Sequence, residues 1–170
     1  MAPELAEWHD FFITTATVAG ALVGLLFIAV SLHLPVFNDD HYEDLRLDAR
    51  SILLGYVIAL ALSLFPLIPQ SLAALGREVL ATFVFIAVAS VRSAPRLFRS
   101  GGVYGLRNRW FRVALLVTGL ATTLTGGLAF LSEQTWALEL IAGSVMVLIV
   151  VSVLRTWDIV FRAARVAPPR

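Results

Sequence analysis

Long apolar runs alternate along the chain with short polar or proline-bearing breaks, the pattern of helices whose sides face lipid. A helix needs about 20 predominantly apolar residues to cross the hydrocarbon of a bilayer. Phe11–Leu34, Ser51–Ile68, Val113–Leu131 and Trp136–Leu154 each fit a span. The run Val79–Val91 reaches only about 20 Å as a helix and is too short alone. Extending it back to Ser71 restores full length but draws Arg77 and Glu78 into the outer third of the membrane. The pattern thus predicts an all-α, polytopic transmembrane helical bundle of five spans, at about 11–34, 51–68, 71–91, 113–131 and 136–154, in a single transmembrane domain over residues 1–170.

Arginine placement gives the orientation, because short cytoplasmic loops collect basic residues. The loop after the third span holds Arg92, Arg96, Arg99, Arg107, Arg109 and Arg112, and the tail holds Arg155, Arg162, Arg165 and Arg170. Both are expected inside. With five spans the amino terminus is then outside, the carboxyl terminus cytoplasmic, and Arg46 and Arg50 fall on the same inner side. Only Arg77 stays outside, whereas omitting the third span would put Arg-rich segments on opposite faces. Trp8, Trp110, Trp136 and Trp157 lie at or just beside span ends, where an amphipathic indole prefers the headgroup layer. No basic residue precedes the first apolar run, so that run is expected to stay as an anchor rather than be removed as a signal peptide. No repeat of fixed period and no soluble second domain is legible.

Composition agrees with a lipid solvent: 59% of the 170 residues are hydrophobic, 15% are charged, and the mean hydropathy is +0.85. Together these predict a multi-pass protein of a bacterial-type inner (plasma) membrane. The absence of cysteine removes disulfides, thiolate nucleophiles, Cys-ligated zinc and iron–sulfur clusters. All thirteen basic residues are arginine, which suits phosphate and carboxylate recognition at membrane edges.

Small residues mark candidate packing faces. Ala16, Gly20 and Gly24 in the first span, and Ser51, Gly55, Ala59 and Ser63 in the second, follow at i+4. In the fourth span, Thr118, Thr122 and Thr125 stand beside Gly119 and Gly126. Such ridges let helix backbones approach closely and gain dispersion contact, and one of them is expected to serve a second copy. Thr14, Thr17, Ala21 and Gly24 also share one side of the first span, which would suit a pore lining. Packing is the favoured reading, because a threonine in a membrane helix can bond the carbonyl four residues back and needs no water.

Ionisable groups within a membrane are expensive and default to functional roles. The first, second and fourth spans have none in their central parts, which argues against a proton relay built on buried carboxylates. The outer third differs, with Asp10, Arg77, Glu78 and Glu139 at or near span ends. With Thr14 and Thr17 they form a candidate outer polar cluster, either a vestibule or interfacial residues reaching for water. Arg77 is expected to need a carboxylate or phosphate partner. On the inner side, Asn38–Asp48 carries five carboxylates and His41. Its spacing matches no EF-hand loop, so it reads as a solvated linker pairing with the arginine loop, with Asp48 near the start of the second span favouring the helix dipole. Arg155, Asp158 and Arg162 suit a local ion-pair ladder. The loop from Arg92 to Arg112 interleaves aromatic residues and glycines with its arginines, and is expected to contact anionic lipid headgroups and no nucleic acid. G-x-S-x-G, H-E-x-x-H, P-loop and G-x-G-x-x-G motifs are absent, so no catalytic, cofactor or metal residue is assigned.

Trp8-His9-Asp10-Phe11-Phe12, followed by a small-residue run and Gly24-Leu25-Leu26-Phe27-Ile28-Ala29-Val30-Ser31, resembles a group of small multi-span bacterial membrane proteins of unassigned function, some labelled modulators of the FtsH protease. The likeness covers about the first 34 residues and implies membership without an activity. The functional expectation is a homo-oligomeric, channel-like assembly. A regulatory or scaffolding protein that contacts another membrane protein through its helix faces is the alternative, and an intramembrane enzyme comes third.

Overall fold

The computed structural model describes residues 3–99 and 106–166, and these are helical almost throughout, with no strand among them. The helices are α1 (Pro3–Glu7), α2 (His9–Leu32), α3 (Leu34–Asn38), α4 (Glu43–Leu64), α5 (Leu72–Arg99), α6 (Leu106–Leu131) and α7 (Ala137–Val166). Short 3-10 turns occupy Asp40–Tyr42 and Phe65–Leu67. Among the described residues, four stretches are long and apolar enough to cross a membrane: His9–Leu32, Leu45–Leu67, Leu72–Arg92 and Ala137–Arg165. In the first only 22% of the residues are buried, so its apolar surface faces outward, as a lipid solvent permits and water does not. The chain is a multi-span membrane protein.

The span limits differ from expectation in instructive ways. The third span, which needed its polar flank to reach full length, does so as the first 21 residues of α5, with Arg77 and Glu78 inside the helix. The expected fourth span is not among those four: on α6 the apolar stretch Leu116–Leu131 covers about 24 Å at 1.5 Å per residue, short of the roughly 30 Å hydrocarbon layer. The first span ends early, at Leu32, where His33 turns the chain before α3. Pro35 gives the reason, since it has no N–H and its ring would clash with the carbonyl of Ser31 if α2 ran on. The expected solvated linker Asn38–Asp48 is largely helix, because α4 starts at Glu43 and buries Leu45, Asp48 and Ala49. Trp136 and Trp157 are exposed near the ends of apolar stretches and Trp8 is half-buried, while the Trp110 side chain lies outside the described residues.

The contacts divide the chain into two compact units, Met1–His9 with Phe65–Ser144, and Asp10–Leu64 with Val145–Arg170. The first is built on the α5–α6 pair. These helices run antiparallel and meet where glycine faces glycine: a β-carbon on Gly76 would lie 2.9 Å from the Gly127 carbonyl oxygen and 3.0 Å from the Leu131 nitrogen. Leu80 fills the space over Gly127, and Ile141 of α7 packs on Gly126. Leu75, Val79, Phe130, Leu138 and Ile141 are buried here. Glu133 turns the chain from α6 to α7 in the left-handed region, at φ 56°, with its N–H bonded to the Phe130 carbonyl.

The second unit gathers Leu26, Val36, Phe37, Leu45, Ala49, Ile52, Tyr56, Ile159 and Ala163 into an apolar cluster from α2, α3, α4 and α7. On the expected packing face of α4, Ala59 and Ser63 are fully buried and a β-carbon on Gly55 would lie 2.6 Å from the Ser152 hydroxyl, while Ser51 is exposed. The Ala16–Gly20–Gly24 ridge does not stay on one face. Ala16 is buried, but nothing lies within 4 Å of a β-carbon built on Gly20 or Gly24. Each i+4 step advances 400°, so the row drifts about 40° per step around the helix. Gly119 is equally open, so Gly126 alone of that expected pair packs closely.

Gly76→Ala must push backbone apart and is expected to lower stability by about 1–3 kcal/mol, whereas Gly119→Ala, meeting open space, should raise helix stability by up to about 1 kcal/mol. Unfolding in mixed detergent micelles measures both, and a Gly76→Ala protein as stable as the parent would contradict the close α5–α6 approach.

Candidate functional site

The expected outer polar cluster is divided between the two units. Asp10, Thr14 and Thr17 belong to α2 in one, and Arg77, Glu78 and Glu139 to the other. On α2 the hydroxyls turn inward to their own backbone: Thr14 Oγ1 donates to the Asp10 carbonyl at 2.7 Å and Thr17 Oγ1 to that of Ile13 at 2.8 Å. Ser31, Thr125 and Ser144 repeat this bond. A hydroxyl satisfied in this way tolerates lipid and asks for no water.

In the other unit, Glu78 is held by a residue that the sequence did not single out. Gln70 Nε2 donates to Glu78 Oε2 at 2.9 Å and to the Phe65 carbonyl at 2.9 Å, tying the turn before α5 to that helix. Arg77 and Glu139 are exposed. No ion pair joins Arg77 to a carboxylate among the described residues, so the acid partner expected for it is not found there.

The strongest convergence of charge lies elsewhere, on α4 and α7. Asp48 sits in the second turn of α4 with its side chain 7% exposed. Arg155 Nη2 lies 3.5 Å from one of its oxygens and Arg162 Nη1 3.6 Å from the other. The first guanidinium also donates to Ser51 Oγ at 2.7 Å, and that hydroxyl donates to the Asp48 carbonyl at 2.9 Å. Arg162 Nη2 further bonds Asp158. The expected ladder along α7 is therefore half right: Arg162 pairs with Asp158, but both arginines reach across to α4. Asp48 acts as their buried counter-ion rather than as a complement to a helix dipole.

Farther along the same two helices, Tyr56 Oη and Thr156 Oγ1 lie 3.0 Å apart. Between α2 and α4, Thr15 Oγ1 donates to Ser63 Oγ at 3.0 Å while Ser63 donates to the Ala59 carbonyl. Ion group, hydroxyl pair and close glycine contact form a polar seam through an otherwise apolar unit. Direct bonds of this kind hold membrane helices in register, where the hydrophobic effect supplies no force between them. No buried side-chain nitrogen or oxygen lacks a partner among the described residues.

In the acidic segment, Asp39 Oδ1 accepts the His41 N–H at 2.9 Å, and no three metal-ligating side chains converge among the described residues. Of the lipid-contact arginines, Arg92 is exposed on α5, whereas the side chains of Arg96, Arg99, Arg107, Arg109 and Arg112 lie outside the described residues. Compared with protein-family models, with curated proteins and with solved structures, the chain matches none.

Tyr56→Phe and Thr156→Val remove one hydrogen bond each way, and their double-mutant cycle is expected to give a coupling of about 0.5–1.5 kcal/mol. Unfolding of the four proteins in micelles measures it; strict additivity would mean that the two hydroxyls do not meet.

Proposed function

We propose that the chain is a five-span protein of a bacterial-type inner membrane, amino terminus outside and carboxyl terminus cytoplasmic, that works as a small homo-oligomeric, channel-like assembly joined through α2. One observation carries this reading. Asp10, Thr14, Thr17, Ala21, Gly24, Ile28 and Ser31 follow alternately four and three residues apart, and every one is exposed. That is the spacing at which one face of a helix stays turned towards a partner in a left-handed supercoil. Six of the seven are small or polar, while neighbouring Leu25 and Phe27 point large apolar groups outward at 60% and 70% exposure. Lipid suits the second set, and a close helix neighbour suits the first. A second copy supplies such a neighbour by symmetry, presenting the same face.

In a ring of copies the seam turns Asp10 and Thr17 towards the axis, an acidic entrance above a hydroxyl-bearing wall. The regulatory reading, association with another membrane protein through the same face, is favoured by one specific feature: Thr14 and Thr17 satisfy their hydroxyls on their own backbone and so leave only their oxygen lone pairs for water. Support for the fifth span comes from α6, whose 26 residues measure about 39 Å in all, and from the arginine distribution. The basic residues from Arg92 to Arg112 would then meet anionic headgroups of the inner leaflet, each gaining about 1 kcal/mol. The opening segment's likeness to small multi-span bacterial proteins accords with this setting.

Topology is tested by reporter fusions: a cytoplasm-dependent reporter should be silent after Gln134 and active after Gly102, and the reverse at either site overturns the five-span arrangement. For assembly, Gly24→Ile is expected to lower the subunit number, since bulk at a close contact costs about 1–3 kcal/mol, while Leu25→Ile leaves it unchanged. Light scattering of the purified complex decides, and an unaltered Gly24→Ile oligomer removes the seam as the association face. Flux through reconstituted liposomes that changes with Asp10→Asn and Thr17→Val supports the channel; no flux at any potential, with the oligomer intact, supports the regulatory reading.

A further inference from the structure

Arg77 is a cation on the lipid-facing side of a membrane helix. It lies within the apolar stretch Leu72–Arg92 of α5. Leu72, Leu75, Val79 and Thr82 are buried in the unit, whereas Arg77, Ala81, Val84, Phe85, Val88 and Val91 are exposed. At 100° per residue the exposed set falls within about 120° around the helix, so Arg77 heads an apolar stripe. The stretch begins about 7.5 Å before it, at 1.5 Å per residue, a distance that an extended arginine side chain covers. Helical side chains lean towards the amino-terminal end, and the stem of Arg77 therefore runs over the short side chains of Ala73 and Ala74 towards the headgroup layer.

The next residue supplies the opposite charge. Glu78 is half-buried and stands on the Phe85 side of the stripe. Its Oε2 accepts from Gln70 Nε2 at 2.9 Å, and Gln70 is fixed in turn to the Phe65 carbonyl. The other carboxylate oxygen accepts no hydrogen bond among the described residues, and no buried side-chain oxygen lacks a partner there, so this oxygen opens outwards. Further acids lie at the same end. Gly76 meets Leu131, which places the start of α5 beside the turn carrying Glu133, and Glu139 follows in the first turn of α7; both acids are exposed. A headgroup of net negative charge would meet one arginine among these acids, whereas a headgroup carrying both signs has a partner for each.

We propose that Arg77, Glu78 and the stripe Ala81–Val84–Phe85–Val88 bind one zwitterionic phospholipid with a primary ammonium. The guanidinium takes the phosphodiester, a pairing that suits its planar fork of donors. The ammonium donates to the open oxygen of Glu78, which a quaternary ammonium, having no N–H, cannot do. An acyl chain lies along the exposed apolar residues. The bound lipid fixes the depth and rotation of α5 in the bilayer. The site uses no α2 residue and stands whether or not the assembly conducts.

The chain has no cysteine, so one introduced at exposed Ala81, a single turn from Arg77, reports on this site alone. Full-length Ala81→Cys protein carrying a thiol-linked fluorophore is reconstituted in vesicles, and quenching by lipids with brominated acyl chains measures which headgroup gathers beside it. Phosphatidylethanolamine is expected to outcompete phosphatidylcholine about threefold and a phosphate-free glucosyl diacylglycerol about threefold, each the scale of one exposed ion pair. Glu78→Gln should bring the first ratio to about one and leave the second, and Arg77→Gln should do the reverse, so each variant carries its own control for folding. Arg92→Gln, at the far end of the stripe, should leave both ratios as they are. Ratios near one in the labelled parent, a preference for phosphatidylglycerol over phosphatidylethanolamine, a ratio that survives its own substitution, or equal loss with Arg92→Gln would each overturn the site.

Discussion

Everything in this structure follows from the solvent: in hydrocarbon there is no water to take a hydrogen bond, so each polar group must find its partner inside the protein. The backbone meets that demand by being helical almost everywhere. Hydroxyls meet it locally, on the carbonyl three or four residues back, and this is how Thr14, Thr17, Ser31 and Thr125 remain on exposed faces. On buried faces, polar groups also meet across helices: Thr15 with Ser63, Tyr56 with Thr156, Asp48 with two arginines. Because an unpaired carboxylate so placed is far more costly than an unpaired hydroxyl, the Asp48 group sets which faces of α4 and α7 meet, and the weaker bonds align behind it.

Dispersion supplies the remainder, and it requires closeness. Gly76 and Gly127 remove side chains from both sides of one crossing, so the α5 and α6 backbones come within contact of each other. Gly55 works against a serine instead, joining close approach to a polar seam. Gly20 and Gly24 are chemically the same residue in the opposite situation, with open space where a β-carbon would go. Glycine in a helix interior sacrifices up to about 1 kcal/mol relative to alanine, and at Gly76 that loss is offset by the close contact it permits. Within the described chain nothing offsets it at Gly20 or Gly24.

Much of this was legible in the run lengths. Four of the five expected spans coincide with helices long and apolar enough to cross, and the fifth with α6, because length and hydropathy are local properties of the chain. Two features escaped it for different reasons. Gly76 and Gly127 sit 51 positions apart and belong to no common stripe, so only the α5–α6 crossing makes them partners. Asp48 was read with the acidic linker because the apolar run begins at Ser51, yet the helix starts two turns earlier and carries its acid inward. The one available clue was on α7: Arg155 and Arg162, seven residues apart, share a face, and two like charges aligned beside apolar Ile159 imply an acid facing them. Ala16 and the two glycines Gly20 and Gly24 differ in burial for a geometric reason, since an i+4 row winds about 40° per step around a helix while a row alternating four and three drifts only about 20° in seven residues.

That last distinction bears on how the two kinds of seam divide the work. The α4–α7 seam is buried, charged and fully partnered, which suits a contact made once as the chain folds. The α2 seam is exposed, holds a single charge at its end in Asp10, and otherwise presents groups that lipid can bear. A face of that composition is stable enough to exist alone in a bilayer and still gains from a close neighbour, since no desolvation of charge opposes its closure along the apolar depth.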